Sequence, residues 1–227
     1  MAAPVAATRR AAGAEGGPDA GRGRGSGWLK RHATLVVSLA ASLPALWVIF
    51  ALFTDRLGAN PIREVVIETG LWTLRFLALT LLVTPLRRWS GWNAVARQRR
   101  TLGIATFVYA CIHLLSYAGL DQAFVWDDIV HDVLKHRYTF IGMATWIILL
   151  PLALTSTTSS IRRLGGKRWN RLHRIVYVAA ITGTVHYLWA VKKDTTFPLV
   201  YLFLFTFLLG VRLWWWSRGR SMSRRPG

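Results

Sequence analysis

Six apolar runs, each close to the ~20 residues that an α-helix needs to cross a bilayer core, dominate this chain: 33–53, 67–85, 102–120, 138–156, 173–191 and 197–216. Hydrocarbon offers no water to satisfy main-chain N–H and C=O groups, so such segments are confined to helices whose hydrogen bonds are internal. The expected fold is therefore an all-α integral membrane protein, a six-helix transmembrane bundle. Pro44 and Pro151 fall inside runs and are expected to kink their helices, with neighbouring groups satisfying the freed carbonyls. Over 227 residues a hydrophobic content of 53% is too high for a water-soluble domain of this size.

The formal net charge of +19 falls in short clusters between the runs rather than in one basic patch. That distribution excludes a nucleic-acid partner and reads as membrane topology. Twenty-two Lys and Arg lie before the first run, in the second and fourth loops and at the C-terminal end, against six (Arg56, Arg63, Lys135, Arg137, Lys192 and Lys193) in the other loops. The longest of these other loops also holds Asp121, Asp127, Asp128 and Asp132. Both termini are accordingly expected in the cytoplasm. Residues 1–27, rich in Ala, Gly and Arg, are expected to form a disordered tail, 28–218 the membrane domain, and 219–227 a short basic cytoplasmic tail. Arg9 and Arg10 are not followed promptly by an apolar segment, so a twin-arginine export signal is the weaker reading. Cys111 is the only cysteine, which excludes internal disulfides, CxxC pairs and thiolate clusters. Any redox chemistry must come from a cofactor.

His113 lies thirteen residues beyond Arg100 and His186 twelve beyond Arg174, and the third and fifth runs leave their basic borders in the same direction. At about 1.5 Å per residue both imidazoles sit some 18–20 Å into the membrane. Two imidazoles at one depth can approach one iron from opposite faces, the axial arrangement of a bis-histidine haem. The alternative is that each is a packed histidine bonded to a carbonyl or hydroxyl. His173 is set about 140° around the helix from His186; beside Arg171 and Arg174 it could ligate a second haem, contact a flavin phosphate or cap the surface. Arg75, inside the second run, needs a counter-charge, either a haem propionate or Glu68, seven residues earlier on nearly the same face. Residues 124–134 alternate at helical spacing, an expected amphipathic surface helix carrying His131, with His136 just beyond it. His32 is read as solvated and Cys111 as core.

The segments RQRRTLGIATFVYACIHLLSYAGLDQ, PLALTSTTSSIRRLGGKRWNRLHRIVY and VHYLWAVKKD resemble the MsrQ (YedZ) family. This is the haem-binding membrane subunit of the bacterial periplasmic protein-methionine-sulfoxide reductase system, within the ferric-reductase-like transmembrane group. The likeness runs from Trp28 to Arg218, and LGGKRWNRLH carries one glycine more than the family's usual LGKRW. The resemblance implies haem b held through His113 and His186, with His173 a further candidate iron ligand, and a flavin mononucleotide (FMN) in some members. It implies that Arg99 and Arg100 match a basic pair able to meet an anionic cofactor; anchoring by snorkelling is the other reading. It also implies location in the bacterial inner membrane and electron delivery to a soluble, molybdopterin-containing periplasmic partner that reduces protein methionine sulfoxide. A cytoplasmic flavin reductase or membrane quinol would be the donor, and the chain is not expected to reduce methionine sulfoxide itself.

Two other functions compete with an electron conduit. A self-sufficient ferric or oxygen reductase would need flavin and nicotinamide domains, but only about ten residues follow the last run and no GxGxxG stands in a βαβ context; a reductase subunit with another acceptor stays open. A transporter using Glu68, Arg75 and the histidines as a relay would carry more acidic residues within its spans or paired broken helices.

Overall fold

The computed structural model describes residues 22–91 and 93–222, and these contain helix, turn and loop but no strand. In order come α1 (Arg22–Phe53), α2 (Pro61–Ser90), α3 (Asn93–Ser116, prolonged by a π-helical turn Tyr117–Asp121), α4 (Trp126–Lys135), α5 (Arg137–Leu154) and α6 (Thr158–Leu172). A 3₁₀ turn (His173–Ile175) then leads into α7 (Val176–Ala190), and α8 (Thr196–Met222) ends the described chain. Most of both expected tails lies outside the described residues, although α1 already begins at Arg22 and α8 continues to Met222.

Five helical stretches are long and apolar enough to cross a membrane: 32–53, 61–90, 93–121, 137–154 and 196–218. The expected span 173–191 is divided between the 3₁₀ turn and the 15-residue α7. Large apolar side chains cover the outside of the bundle, with Phe203 75% and Leu39 67% exposed. Such a surface belongs in lipid, and the chain is a multi-pass membrane protein.

The helix ends follow from local chemistry. Asn60 caps α2 by accepting from the Arg63 N–H, Pro61 occupies the first turn where no N–H is needed, and Gly91 closes the helix at φ 69°. Gly165, one of the two glycines in LGGKRW, takes φ 71° and breaks α6. Within the bundle α2 packs most extensively on α3, and α5 on α7. Small residues allow the close approach: Ala179 and Ala180 are 0% exposed, and Leu77, Leu81, Phe205 and Leu208 fill the space beside Ala180.

Two proline irregularities are repaired by side chains from other helices. In α1, next to Pro44, the Tyr109 hydroxyl accepts from the Ala45 N–H at 2.8 Å and donates to the Ala41 carbonyl at 2.8 Å, standing where the direct helical bond would run. In α2, Pro85 has no N–H for the Leu81 carbonyl, and the Arg212 guanidinium of α8 donates to that oxygen instead. The sequence pattern assigned Arg212 to topology; it lies inside the bundle, against the Tyr177 ring.

The expected amphipathic helix is α4, and Asp132 tethers it. Its carboxylate accepts from Tyr117 Oη (2.7 Å) on the π turn, Thr139 Oγ1 (2.9 Å) on α5 and His136 Nδ1 (2.7 Å). Burial pushes the Asp132 carboxyl upward, but these hydrogen bonds outweigh it and hold the group below the usual carboxylate range.

Two outcomes follow. Tyr109→Phe leaves a helical N–H and C=O without their bridge and should destabilise the protein by ~1–3 kcal/mol, read as a lower thermal midpoint in detergent; an unchanged midpoint would mean that α1 closes its own ladder. Because the Asp132 pKa is lower folded than unfolded, its tether is complete above the ordinary carboxylate pKa, near 4. It is lost as pH falls below that value through the folded pKa. Protection factors of the amides in 126–135, taken relative to the intrinsic exchange rate at each pH, should therefore fall below about pH 4, and Asp132→Asn should show weakened protection already at neutral pH.

Candidate functional site

α3 carries His113 and α7 carries His186, and the bundle brings the two rings together with centroids 6.0 Å apart and planes at 72°. Each ring is anchored at the same atom by the same kind of group. His113 Nδ1 lies 2.8 Å from the Val66 carbonyl of α2, and His186 Nδ1 lies 2.7 Å from the Tyr138 carbonyl of α5. A carbonyl oxygen only accepts, so in both rings Nδ1 bears the hydrogen and Nε2 keeps its lone pair. The second-shell bond thus selects the tautomer that ligates metal through Nε2.

The spacing suits a shared metal. A bound imidazole nitrogen stands about 2.0–2.1 Å from a metal and about 1.1 Å from its ring centre, so two rings on opposite sides of one ion have centres roughly 6 Å apart. No cluster of three or more His, Cys, Asp or Glu able to hold a metal occurs among the described residues. Two nitrogens alone do not complete a protein-built tetrahedral site, whereas a haem brings four equatorial nitrogens and asks the protein only for axial ligands. The donor set fits haem.

Glycines make room for both rings. A Cβ placed on Gly70 would meet His113 Cε1 at 3.0 Å and Nδ1 at 3.1 Å; one on Gly142 would meet His186 Cε1 and Nδ1 at 2.7 Å. Thr69, 1% exposed, donates to the Val65 carbonyl at 2.7 Å and adds a longer contact of 3.5 Å to His113 Nδ1. Gly70, Gly142 and Thr69 were not singled out from sequence. Their only visible sign is a glycine in the interior of each of two otherwise apolar spans, ETGLW and FIGMAT, where glycine is unfavourable to the helix.

The other expected site residues lie apart from the pair. His173, thirteen residues and ~20 Å along the helix from His186, stacks on Trp169 (centroids 3.9 Å, 25°), with Nε2 3.1 Å from Thr155 Oγ1. Trp169 Nε1 in turn donates to the Thr155 carbonyl at 2.9 Å. Arg99 is the charge that bears on His173. Arg100 Nη1 donates to Thr158 Oγ1 at 3.3 Å and borders, with Arg97, a groove of about 610 Å³ between α1 and α3. Arg75 reaches Glu68 Oε2 at 3.5 Å and lies over the Trp72 ring at 4.5 Å; both charged side chains are more than a third exposed. Cys111, half-buried and outside the buried core clusters, accepts from Trp146 Nε1 at 3.4 Å.

Residues 69–184 match the family described as "Ferric reductase like transmembrane component", just over half of the chain, ending two residues short of His186. Over 176 residues the chain is 48% identical to the "Protein-methionine-sulfoxide reductase heme-binding subunit MsrQ" of Azospira oryzae, covering 77% of this chain and 76% of that protein. Proteins of the same description match at 44% identity from Rhodospirillum rubrum (86% of this chain, 94% of the relative) and from Herminiimonas arsenicoxydans (84% and 89%). The chain belongs to the MsrQ family. The resemblance expected from its motifs thus holds across most of its length, and this chain places two tautomer-fixed imidazoles 6.0 Å apart with their planes at 72°.

Proposed function

We propose that this protein is a six-span b-type cytochrome of the bacterial inner membrane. In this role it passes electrons across the membrane to a periplasmic, molybdopterin-dependent methionine sulfoxide reductase partner that repairs oxidised proteins. The observation that carries the reading is the His113–His186 pair, 6.0 Å apart with both Nδ1 atoms committed to helix carbonyls. The printed names of the relatives, heme-binding subunits of a protein-methionine-sulfoxide reductase, supply the acceptor class. Residues 28–218 form the haem-binding domain in this reading, with the flanking tails in the cytoplasm.

Haem, when bound, supplies a one-electron ferric/ferrous couple. The chain does the rest. His113 and His186 would hold the haem iron through Nε2, and the carbonyls of Val66 and Tyr138 fix the tautomer and orientation of the rings. The surrounding apolar helices keep water from the couple and so help to set its potential. Arg75 remains available to a propionate through a loose 3.5 Å pair with Glu68. Arg99, Arg100 and His173, at the N-terminal ends of α3 and α7, form the entrance side, where a flavin mononucleotide phosphate or a second haem would meet positive charge. Electrons would enter there from a cytoplasmic flavin reductase or from membrane quinol. The sixth span is the 3₁₀ turn with α7, which together rise ~28 Å, close to the ~30 Å bilayer core.

Protein purified from haem-replete cells should show a Soret band, with the split visible bands of low-spin bis-histidine haem after reduction. His113→Ala and His186→Ala should each remove that signature and His131→Ala should not; a colourless wild-type preparation would end the reading. The 72° between ring planes further predicts a highly anisotropic low-spin ferric EPR signal instead of the rhombic one of parallel rings. Topology gives a separate check. Reporters that work only in the cytoplasm should be active at both termini, whereas five spans would put the termini on opposite sides.

A further inference from the structure

The two anchoring carbonyls share a feature that the histidines alone do not explain. Val66 accepts from His113 and Gly70 lies four residues later on α2; Tyr138 accepts from His186 and Gly142 lies four residues later on α5. In an α-helix the carbonyl of residue i points at the N–H of residue i+4, and the side chain at i+4 leans back toward the helix N-terminus, over that carbonyl. A side chain there can take the space beside the oxygen's second lone pair. At Gly70 and Gly142 no side chain takes that space, and the imidazole occupies it in both cases.

We propose that Gly70 and Gly142 are positioning residues of the haem site: each opens one helix carbonyl to a histidine Nδ1–H and thereby sets the tautomer and plane of the axial ligand. The inference rests on reading His113 and His186 as axial ligands. Because the acceptor is main chain, no side-chain substitution removes it, and the glycine is the position through which that bond can be perturbed. The two sites should differ in severity. At 2.7 Å from two ring atoms, a methyl on Gly142 forces His186 off the Tyr138 carbonyl, whereas at 3.0–3.1 Å a methyl on Gly70 asks His113 to yield by a few tenths of an ångström. Gly183 lies on α7, three residues before His186; its added Cβ would meet only Leu74 Cδ2 and Thr145 Cγ2, both at 3.5 Å. Gly103, on α3, would meet only Thr80 Cγ2, at 3.8 Å. These two are matched controls within the same helices as the ligands.

The test compares haem-loaded wild type with Gly70→Ala, Gly142→Ala, Gly103→Ala and Gly183→Ala, purified as monodisperse protein in detergent. The readouts are CO binding by the reduced form, the ferric EPR signal and the rate of haem transfer to apomyoglobin. Wild type should exclude CO, since both axial positions are filled. Gly142→Ala should bind CO, lose the anisotropic EPR signal and retain haem about 10–100-fold more weakly, the range for loss of an outer-shell partner. Gly70→Ala should shift in the same direction by less, and both controls should match wild type. Wild-type behaviour in both Gly70→Ala and Gly142→Ala, or equal CO binding in Gly183→Ala, overturns the proposal while leaving the haem reading intact. If Gly142→Ala is not recovered folded, Gly70→Ala decides by the same readouts. A wild type without haem removes both this proposal and the reading beneath it.

Discussion

An imidazole has one N–H when neutral, and a hydrocarbon interior offers little that can accept it. Handing that hydrogen to a helix carbonyl fixes where the lone pair must be, and the rest of this site depends on that choice. With Nδ1 committed at 2.7–2.8 Å in both His113 and His186, Nε2 is the only free nitrogen on each ring. Carbonyl bonding and metal ligation, which look like competing roles when a membrane histidine is considered alone, here belong to different atoms of one ring. The first is the condition for the second.

The same accounting governs the bundle. Every irregular main-chain group inside the spans has to be answered from within the protein. Tyr109 answers the open ladder beside Pro44, and Arg212 answers the carbonyl that Pro85 leaves bare. These repairs also tie α1 to α3 and α8 to α2, so the helices holding the histidines are cross-braced by the groups that complete their neighbours. Bundle cohesion cannot come from hiding apolar surface from lipid, which is itself apolar. It comes from close approach at small residues such as Ala179 and Ala180 and from these polar ties.

Much of this could be read from the chain. The apolar runs gave the helices, the depth match paired His113 with His186, and the spacing of residues 124–134 gave α4. The second shell stayed hidden for a physical reason: its acceptors are main-chain oxygens, which every residue possesses, so Val66 and Tyr138 carry no compositional mark. Arg212 was hidden differently. A guanidinium near a span end counts equally as a topology signal or as a hydrogen-bond donor turned inward, and only the Leu81 carbonyl beside it distinguishes the two. The run 173–191 was legible in hydropathy but not in its geometry, because an apolar run does not show that its first turn winds as 3₁₀.

His173 shows where the duplication stops. The buried histidine sites are built twice over, α2 with α3 and α5 with α7, each supplying a carbonyl, a glycine four residues on and a histidine packed against both. His173 has a different environment: an aromatic face on Trp169, a hydroxyl at Nε2 and a guanidinium charge nearby, with no opposing imidazole. The Thr155 hydroxyl gives its one hydrogen to the Pro151 carbonyl at 2.6 Å, so toward His173 it accepts and Nε2 bears the hydrogen. The ring is held by stacking and by that Nε2–H bond, in the opposite tautomer from His113 and His186. The Nε2 that is left free in His113 and His186 is thus the nitrogen already engaged in His173, and the three histidines do not share one design.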